Sequence, residues 1–143
     1  MNPALPGIVA ISFYLLGSYS QVRNLITRTV TRQSELVRFV LPALISHGLF
    51  VYSVLDTSSG IDLSFFNVAA LISLTINVAV LLASIREPVH NLYVFVFLIS
   101  ILTVAGCLAV HALAFSPTAT PRTVSAPLLF HIVVSVVAYS ILT

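Results

Sequence analysis

The sequence predicts an all-α fold, a polytopic transmembrane helical bundle of five helices with the N-terminus outside. Of its 143 residues, 59% are hydrophobic and 7% are charged, whereas about a quarter of the residues of a soluble domain are charged. The apolar residues form continuous runs, as in LISLTINVAVLLASI at 71–85. A membrane β-barrel would instead show alternating segments of about ten residues. We therefore expect a single integral membrane domain over residues 1–143.

Five apolar segments are long enough to cross a hydrocarbon core of about 30 Å at about 1.5 Å per residue. They cover 4–22, 36–55, 63–85, 91–115 and 126–143. A cleaved signal peptide carries basic residues before its apolar run. No basic residue precedes the first segment here, so we expect it to be a retained helix.

The loops between these segments predict the orientation. Four of the six arginines lie in or just after the loop that follows the first segment: Arg23, Arg28, Arg32 and Arg38. Short Arg-rich loops stay on the cytoplasmic side, so this loop is inside. The next loop, DTSSGID at 56–62, holds two Asp and no basic residue. Arg86 in the third loop agrees with this topology and Arg122 in the fourth does not, so three loops of four support it.

Polar side chains gather in the predicted outer half of the membrane. His131 lies roughly 7 Å below the outer end of its helix and His47 roughly 12 Å below the end of its own, at about 1.5 Å per residue. Asn67 and His111 lie near the outer ends of the third and fourth helices, whereas His90 belongs to the inner loop REPVHN. An ionisable group inside a membrane is costly, so function is the default hypothesis for an intramembrane His.

A second group of polar residues, Ser46, Ser73 and Asn77, is expected to form hydrogen bonds between helices. A hydrogen bond between helices is also a competing explanation for each histidine. Gly48 follows His47 directly, and its missing side chain would let another helix or a flat ligand approach.

Two histidines on separate helices are compatible with a metal site, with haem clamped from both axial sides, or with a proton relay. No Asp or Glu lies within the five segments, which disfavours a catalytic zinc site and a proton pathway. Haem needs only two axial imidazoles in an apolar slot, so it is the cofactor that these residues serve best. The usual signatures of soluble enzymes are absent, and we expect no enzyme. The lone Cys107 excludes a disulfide framework and a CxxC redox pair. The basic loop is better explained by topology than by a nucleic-acid partner.

Three stretches resemble the cytochrome c assembly (CcsA/CcmC-like) superfamily. LLFHIVVSVVAYS at 128–140 is similar to a family helix in which a His, here His131, precedes a small-aromatic-small triplet. LSFFNVAALISL at 63–74 resembles the family's Leu-Ser-x-x-Asn helix start, and LISHGLFVY at 44–52 resembles its buried His in the second helix. The likeness covers essentially the whole chain, and the spacing also fits the YpjD/HemX-like branch.

The resemblance implies a haem-handling protein of cytochrome c assembly in a bacterial inner membrane. By matching position, His131 would be an outer-face ligand of the haem iron and His47 the intramembrane ligand. Asn67 would shape the outer end of the third helix as a further cofactor-binding residue, whereas His90 and His111 receive no role. The expected partners are haem, the lipid bilayer, and other maturation proteins or a second copy of the chain.

The sequence differs from the family pattern in two respects. The chain has no Trp, so it lacks the Trp-rich external segment of CcsA and CcmC, which favours the YpjD/HemX-like branch. Family members have more helices, so we expect an N-terminal fragment.

Two other functional classes are also compatible with the sequence. One is a regulatory or scaffolding membrane protein without a bound cofactor, as in HemX-like proteins. The other is half of a small-solute transporter, whose helices would be broken at Pro42 and Gly106.

Overall fold

The computed structural model describes residues 2–29, 33–57, 60–86, 91–113 and 126–142. These ranges hold five α-helices: α1 (Ala4–Ile26), α2 (Gln33–Leu55), α3 (Phe65–Ala83), α4 (Leu92–Ala112) and α5 (Ala126–Leu142). The predicted all-α bundle is confirmed, and each helix overlaps one predicted segment. Helix α1 continues past residue 22 to Ile26, because Gln21 and Asn24 extend the buried stripe of this helix by another turn.

Helices α1 to α4 are long and apolar enough to cross a membrane, judged by length and composition. The protein is therefore a multi-pass membrane protein. Helix α5 is also apolar, but it has 17 residues, fewer than the roughly 20 that a span needs. A fifth crossing at α5 stays a prediction.

Helices α1 to α4 form a ring. Helix α1 packs against α2 and α4, α3 packs against the same two helices, and α5 packs against α3. Contacts within the ring show that neighbouring helices run in opposite directions. Gly7 lies near the start of α1, and an added Cβ there would be 2.9 Å from Leu108 near the end of α4. The same Cβ would be 3.0 Å from Phe50 near the end of α2.

The buried and exposed faces of the helices differ in polarity. The buried stripe of α3 consists mostly of small and polar residues: Asn67, Ala70, Ser73, Asn77 and Val80. Its exposed positions include Phe65 and Leu82, which are 79% and 61% exposed. Helices pack closely in a membrane through small residues and through hydrogen bonds, while large apolar side chains face lipid. The outer surface of the bundle is therefore the lipid-contacting surface.

A short hairpin joins α2 to α3, where the sequence analysis predicted only a loop. Strand β1 (Asp56–Thr57) pairs antiparallel with β2 (Gly60–Ile61). Gly60 has φ of 122°, a conformation that glycine adopts without steric cost. The Asp62 carboxylate then accepts a hydrogen bond of 2.9 Å from the Ser64 backbone N–H, which holds the chain at the start of α3.

Arginines and aspartates divide between the two ends of the bundle. In the described part of the chain, the arginines lie at the end where α1 and α3 finish, and the aspartates lie at the hairpin end: Arg23, Arg28, Arg38 and Arg86 against Asp56 and Asp62. This separation is the one that the predicted orientation requires, although the orientation itself stays a prediction.

Candidate functional site

His47 lies on α2 in the middle of the bundle. Its side chain is fully buried, with 0% exposure, as is that of Tyr14 on α1. The Tyr14 hydroxyl and Nδ1 of His47 share a hydrogen bond of 2.9 Å, and the two rings meet edge to face with their centroids 5.7 Å apart. Phe97 of α4 packs against Tyr14 at 5.3 Å. Three helices therefore meet at this imidazole and its tyrosine partner.

The second ring nitrogen of His47, Nε2, is buried and forms no hydrogen bond of good geometry in the described part of the chain, although the Ala70 backbone lies near the ring. An imidazole that binds iron uses one nitrogen as the ligand, while the other is held by a hydrogen bond that fixes the ring. With Nδ1 held by Tyr14, Nε2 is the atom that could take the ligand role. Its lone pair is available when Nδ1 carries the ring proton and donates it to the tyrosine oxygen.

The space around His47 is closed. Because the side chain has no exposed area at all, no water-sized cavity adjoins the ring. A planar tetrapyrrole could reach Nε2 only if the helices separated. At the neighbouring Gly48, an added Cβ would meet nothing within 4 Å, so this point on the surface of α2 is open. The donor atoms thus fit an iron ligand, but the packing does not hold a haem.

Polar residues between α3 and α4 form a hydrogen-bonded belt. The hydroxyls of Ser73 and Thr103 lie 2.8 Å apart. The Asn77 side-chain amide donates to the Ser73 carbonyl at 2.7 Å and to the Ser100 hydroxyl at 2.5 Å. The prediction that Ser73 and Asn77 connect helices is confirmed.

Asn67 lies near the start of α3, where it joins three elements. Its amide N–H groups donate to the carbonyls of Val54 and Asp62, at 3.2 and 3.1 Å. Its oxygen Oδ1 accepts from the Cys107 thiol at 3.1 Å and lies 3.4 Å from Nε2 of His111. An amide side chain offers two donors and two acceptor positions, so protein groups occupy the full capacity of Asn67. We describe these contacts as the Asn67 junction.

The sequence alone indicates no role for Cys107 or His111. The signal that could have linked them is their spacing of four residues on α4, which places both side chains on one face of the helix. Within the described residues, no group of three or more His, Cys, Asp or Glu side chains could hold a metal ion.

His131 lies on α5, which packs against α3, and its side chain is exposed. A pocket shared by two imidazoles would leave part of each ring accessible. Since His47 has no accessible area, the two histidines do not face a common pocket in this structure. His90, for which no role was predicted, lies outside the described residues.

In comparisons with protein-family models, with curated proteins and with solved structures, nothing matches this chain. The resemblance to the cytochrome c assembly superfamily therefore stays a prediction from the sequence.

Proposed function

We propose that the protein handles haem during cytochrome c assembly in a bacterial inner membrane, without being an enzyme. In this proposal His47 is the buried iron ligand and His131 is a ligand exposed on α5. The observation that supports it is that Nε2 of His47 forms no hydrogen bond of good geometry, on a ring whose Nδ1 is held 2.9 Å from the Tyr14 hydroxyl. A buried polar nitrogen without a partner is unfavourable in a folded protein, and a ligand would relieve that cost.

The proposal requires the bundle to open, because His47 is enclosed. The junction at Asn67 holds one end of α3 to α2 and α4 through side-chain hydrogen bonds. In this proposal Asn67 determines how far that end can open. Apocytochrome maturation proteins or a second copy of the chain would be the partners that receive or supply haem.

The second candidate is a regulatory or scaffolding membrane protein that binds no cofactor. The complete burial of His47 and its bond to Tyr14 favour it, because both are expected of an imidazole that only joins helices. The transporter alternative has less support. Helices α2 and α4 continue through Pro42 and Gly106, and an added Cβ at Gly106 would meet the Phe66 ring at 2.9 Å, so Gly106 is a packing position.

Haem titration of the purified, detergent-solubilised chain separates these candidates. We expect a low-spin Soret spectrum typical of two imidazole ligands. His47→Ala and His131→Ala should each convert it to a high-spin spectrum or abolish binding. His111→Ala removes a histidine that is not a proposed ligand, so the low-spin spectrum should remain, even if the loss of its contact with Asn67 changes the rate of haem binding.

Binding that is unchanged in both ligand variants would overturn the haem proposal. Stable association with a partner protein, combined with no haem binding by the folded wild-type chain, would favour the cofactor-free candidate.

A further inference from the structure

A pocket lies at the end of α3 opposite the hairpin. Its volume is about 480 Å³, and the described part of its lining is Leu82, Ala83, Ile85 and Arg86. Leu82 and Ile85 are 61% and 65% exposed, so the apolar part of the lining faces the surroundings of the bundle. Arg86 follows in the turn after the helix. The pocket thus combines an apolar wall with one cationic group at the end of a membrane-spanning helix.

The charge of Arg86 is not neutralised by the described part of the chain. Its side chain is exposed and forms neither an ion pair nor a hydrogen bond with any residue described there. The described aspartates, Asp56 and Asp62, lie at the opposite end of the bundle, whereas Glu35 lies in the first turn of α2 at this end. A guanidinium in this position can offer several N–H groups to a phosphate.

The carbonyl groups at the end of α3 would oppose an anion, because a helix carries partial negative charge at its C-terminus. Three of these carbonyls already accept backbone N–H groups of the following turn. Ser84 donates to Val80 at 2.9 Å, Ile85 to Leu82 at 3.3 Å and Arg86 to Ala83 at 3.0 Å. These bonds reduce the negative potential that the pocket presents, and Arg86 is the cationic group of its described lining.

We propose that this pocket binds an anionic phospholipid, with the phosphate at Arg86 and an acyl chain along Leu82 and Ile85. An anionic lipid meets both parts of the lining, whereas a soluble anion would leave the apolar wall without a partner. The arginines at this end predict that it faces the cytoplasmic leaflet, where anionic lipids attract basic residues near the ends of membrane helices.

The absence of Trp from the chain allows a reporter at the pocket. Leu82→Trp places one indole in the pocket, and Leu25→Trp places one at the same end of the bundle on α1, where Leu25 is 48% exposed. Each variant is reconstituted in bilayers that contain brominated phosphatidylglycerol or brominated phosphatidylcholine, and bromine quenching reports which lipid contacts the indole. Ile85→Trp serves as a second pocket reporter if the first variant does not fold.

At the pocket reporter, we expect the brominated anionic lipid to compete about fivefold better than the zwitterionic lipid, the size of one basic residue's contribution near an anionic surface. Leu25→Trp should show a smaller preference, because Arg23 and Arg28 also attract anionic lipid to this end of the bundle but are not part of the described lining of the pocket. Adding Arg86→Gln to the pocket reporter should abolish the preference, while adding Arg23→Gln should preserve it, because Arg23 is exposed at the same end but does not line the pocket.

Equal quenching by the two lipids at the pocket reporter would overturn the proposal, as would a preference that survives Arg86→Gln. Removal of the preference by millimolar inorganic phosphate at constant ionic strength would identify the ligand as a soluble anion and would also contradict it. Haem binding does not enter any of these measurements, so the result is independent of the proposed function.

Discussion

The hydroxyl of Tyr14 and Nδ1 of His47 lie 2.9 Å apart at a point where neither side chain has any exposed area. The bond joins α1 to α2 between residues that are 33 positions apart in the chain. Phe97 packs against Tyr14, and Tyr93 packs against Phe97, each at 5.3 Å. The hydrogen bond is therefore set into an aromatic cluster that also includes α4.

Tyr14→Phe should destabilise the protein by about 1–2 kcal/mol, because the ring remains but Nδ1 of His47 loses its partner in a buried site. Reversible unfolding in mixed micelles gives the free energy of unfolding directly. Tyr19→Phe is the matched control on the same helix, since Tyr19 is 69% exposed, and it should change stability by less than about 0.5 kcal/mol. Equal effects of the two substitutions would show that the buried bond contributes nothing specific.

Gly17→Ala and Gly48→Ala should differ strongly. A Cβ at Gly17 would lie 2.7 Å from Cε2 of Phe97, and that ring is confined between two tyrosines. We expect a loss of about 1–3 kcal/mol from overpacking. At Gly48 an added Cβ meets nothing within 4 Å, so Ala should be neutral or stabilising by up to about 1 kcal/mol through helix propensity. Thermal unfolding of both variants in detergent compares them, and a larger loss at Gly48 would contradict the packing described for α1 and α4.

The helices could be predicted from the sequence because lipid imposes a local requirement. Each crossing segment must be long, apolar and internally hydrogen-bonded, and all three properties can be read within one stretch of chain. The end of α1 was less predictable, since Arg23 and Asn24 look like loop residues until the packing of α1 shows that Asn24 is buried.

The contacts of the candidate site depend on how separate helices are rotated against one another, and this information is not local. Tyr14 stands in the apolar stretch ISFYLLG, where it is indistinguishable from a lipid-facing aromatic residue. Asn67 was recognised as a polar residue near a helix end, but its partners come from α2, the connecting loop and α4. The expected pairing of His47 with His131 was based on their depth in the membrane and on the family resemblance, and neither specifies which way a side chain points.

Substitutions in the Asn67 junction should follow a definite order. Asn67→Ala removes two donors and an acceptor shared by two groups, and we expect it to cost about 2–3 kcal/mol. Cys107→Ala and His111→Ala each remove one contact, and each should cost about 0.5–1 kcal/mol. The free energies of unfolding of the three variants, measured under one set of conditions, test this order. An Asn67 variant as stable as the His111 variant would mean that the junction does not hold this end of the bundle.

Cysteine labelling in intact cells should place the hairpin end outside. The native Cys107 is buried, so it should contribute little background to labelling by a membrane-impermeant maleimide. Asp56→Cys adds a thiol at an exposed hairpin position, and Thr27→Cys adds one at an exposed position just after α1. We expect labelling of the first variant in intact cells and of the second only after the cells are permeabilised, because the described arginines lie at the Thr27 end and positive loops stay in the cytoplasm. Loss of Asp56 should not change the topology, since acidic residues contribute little to it. The reverse labelling pattern would show that the bundle has the opposite orientation, with the pocket at Arg86 in the outer leaflet.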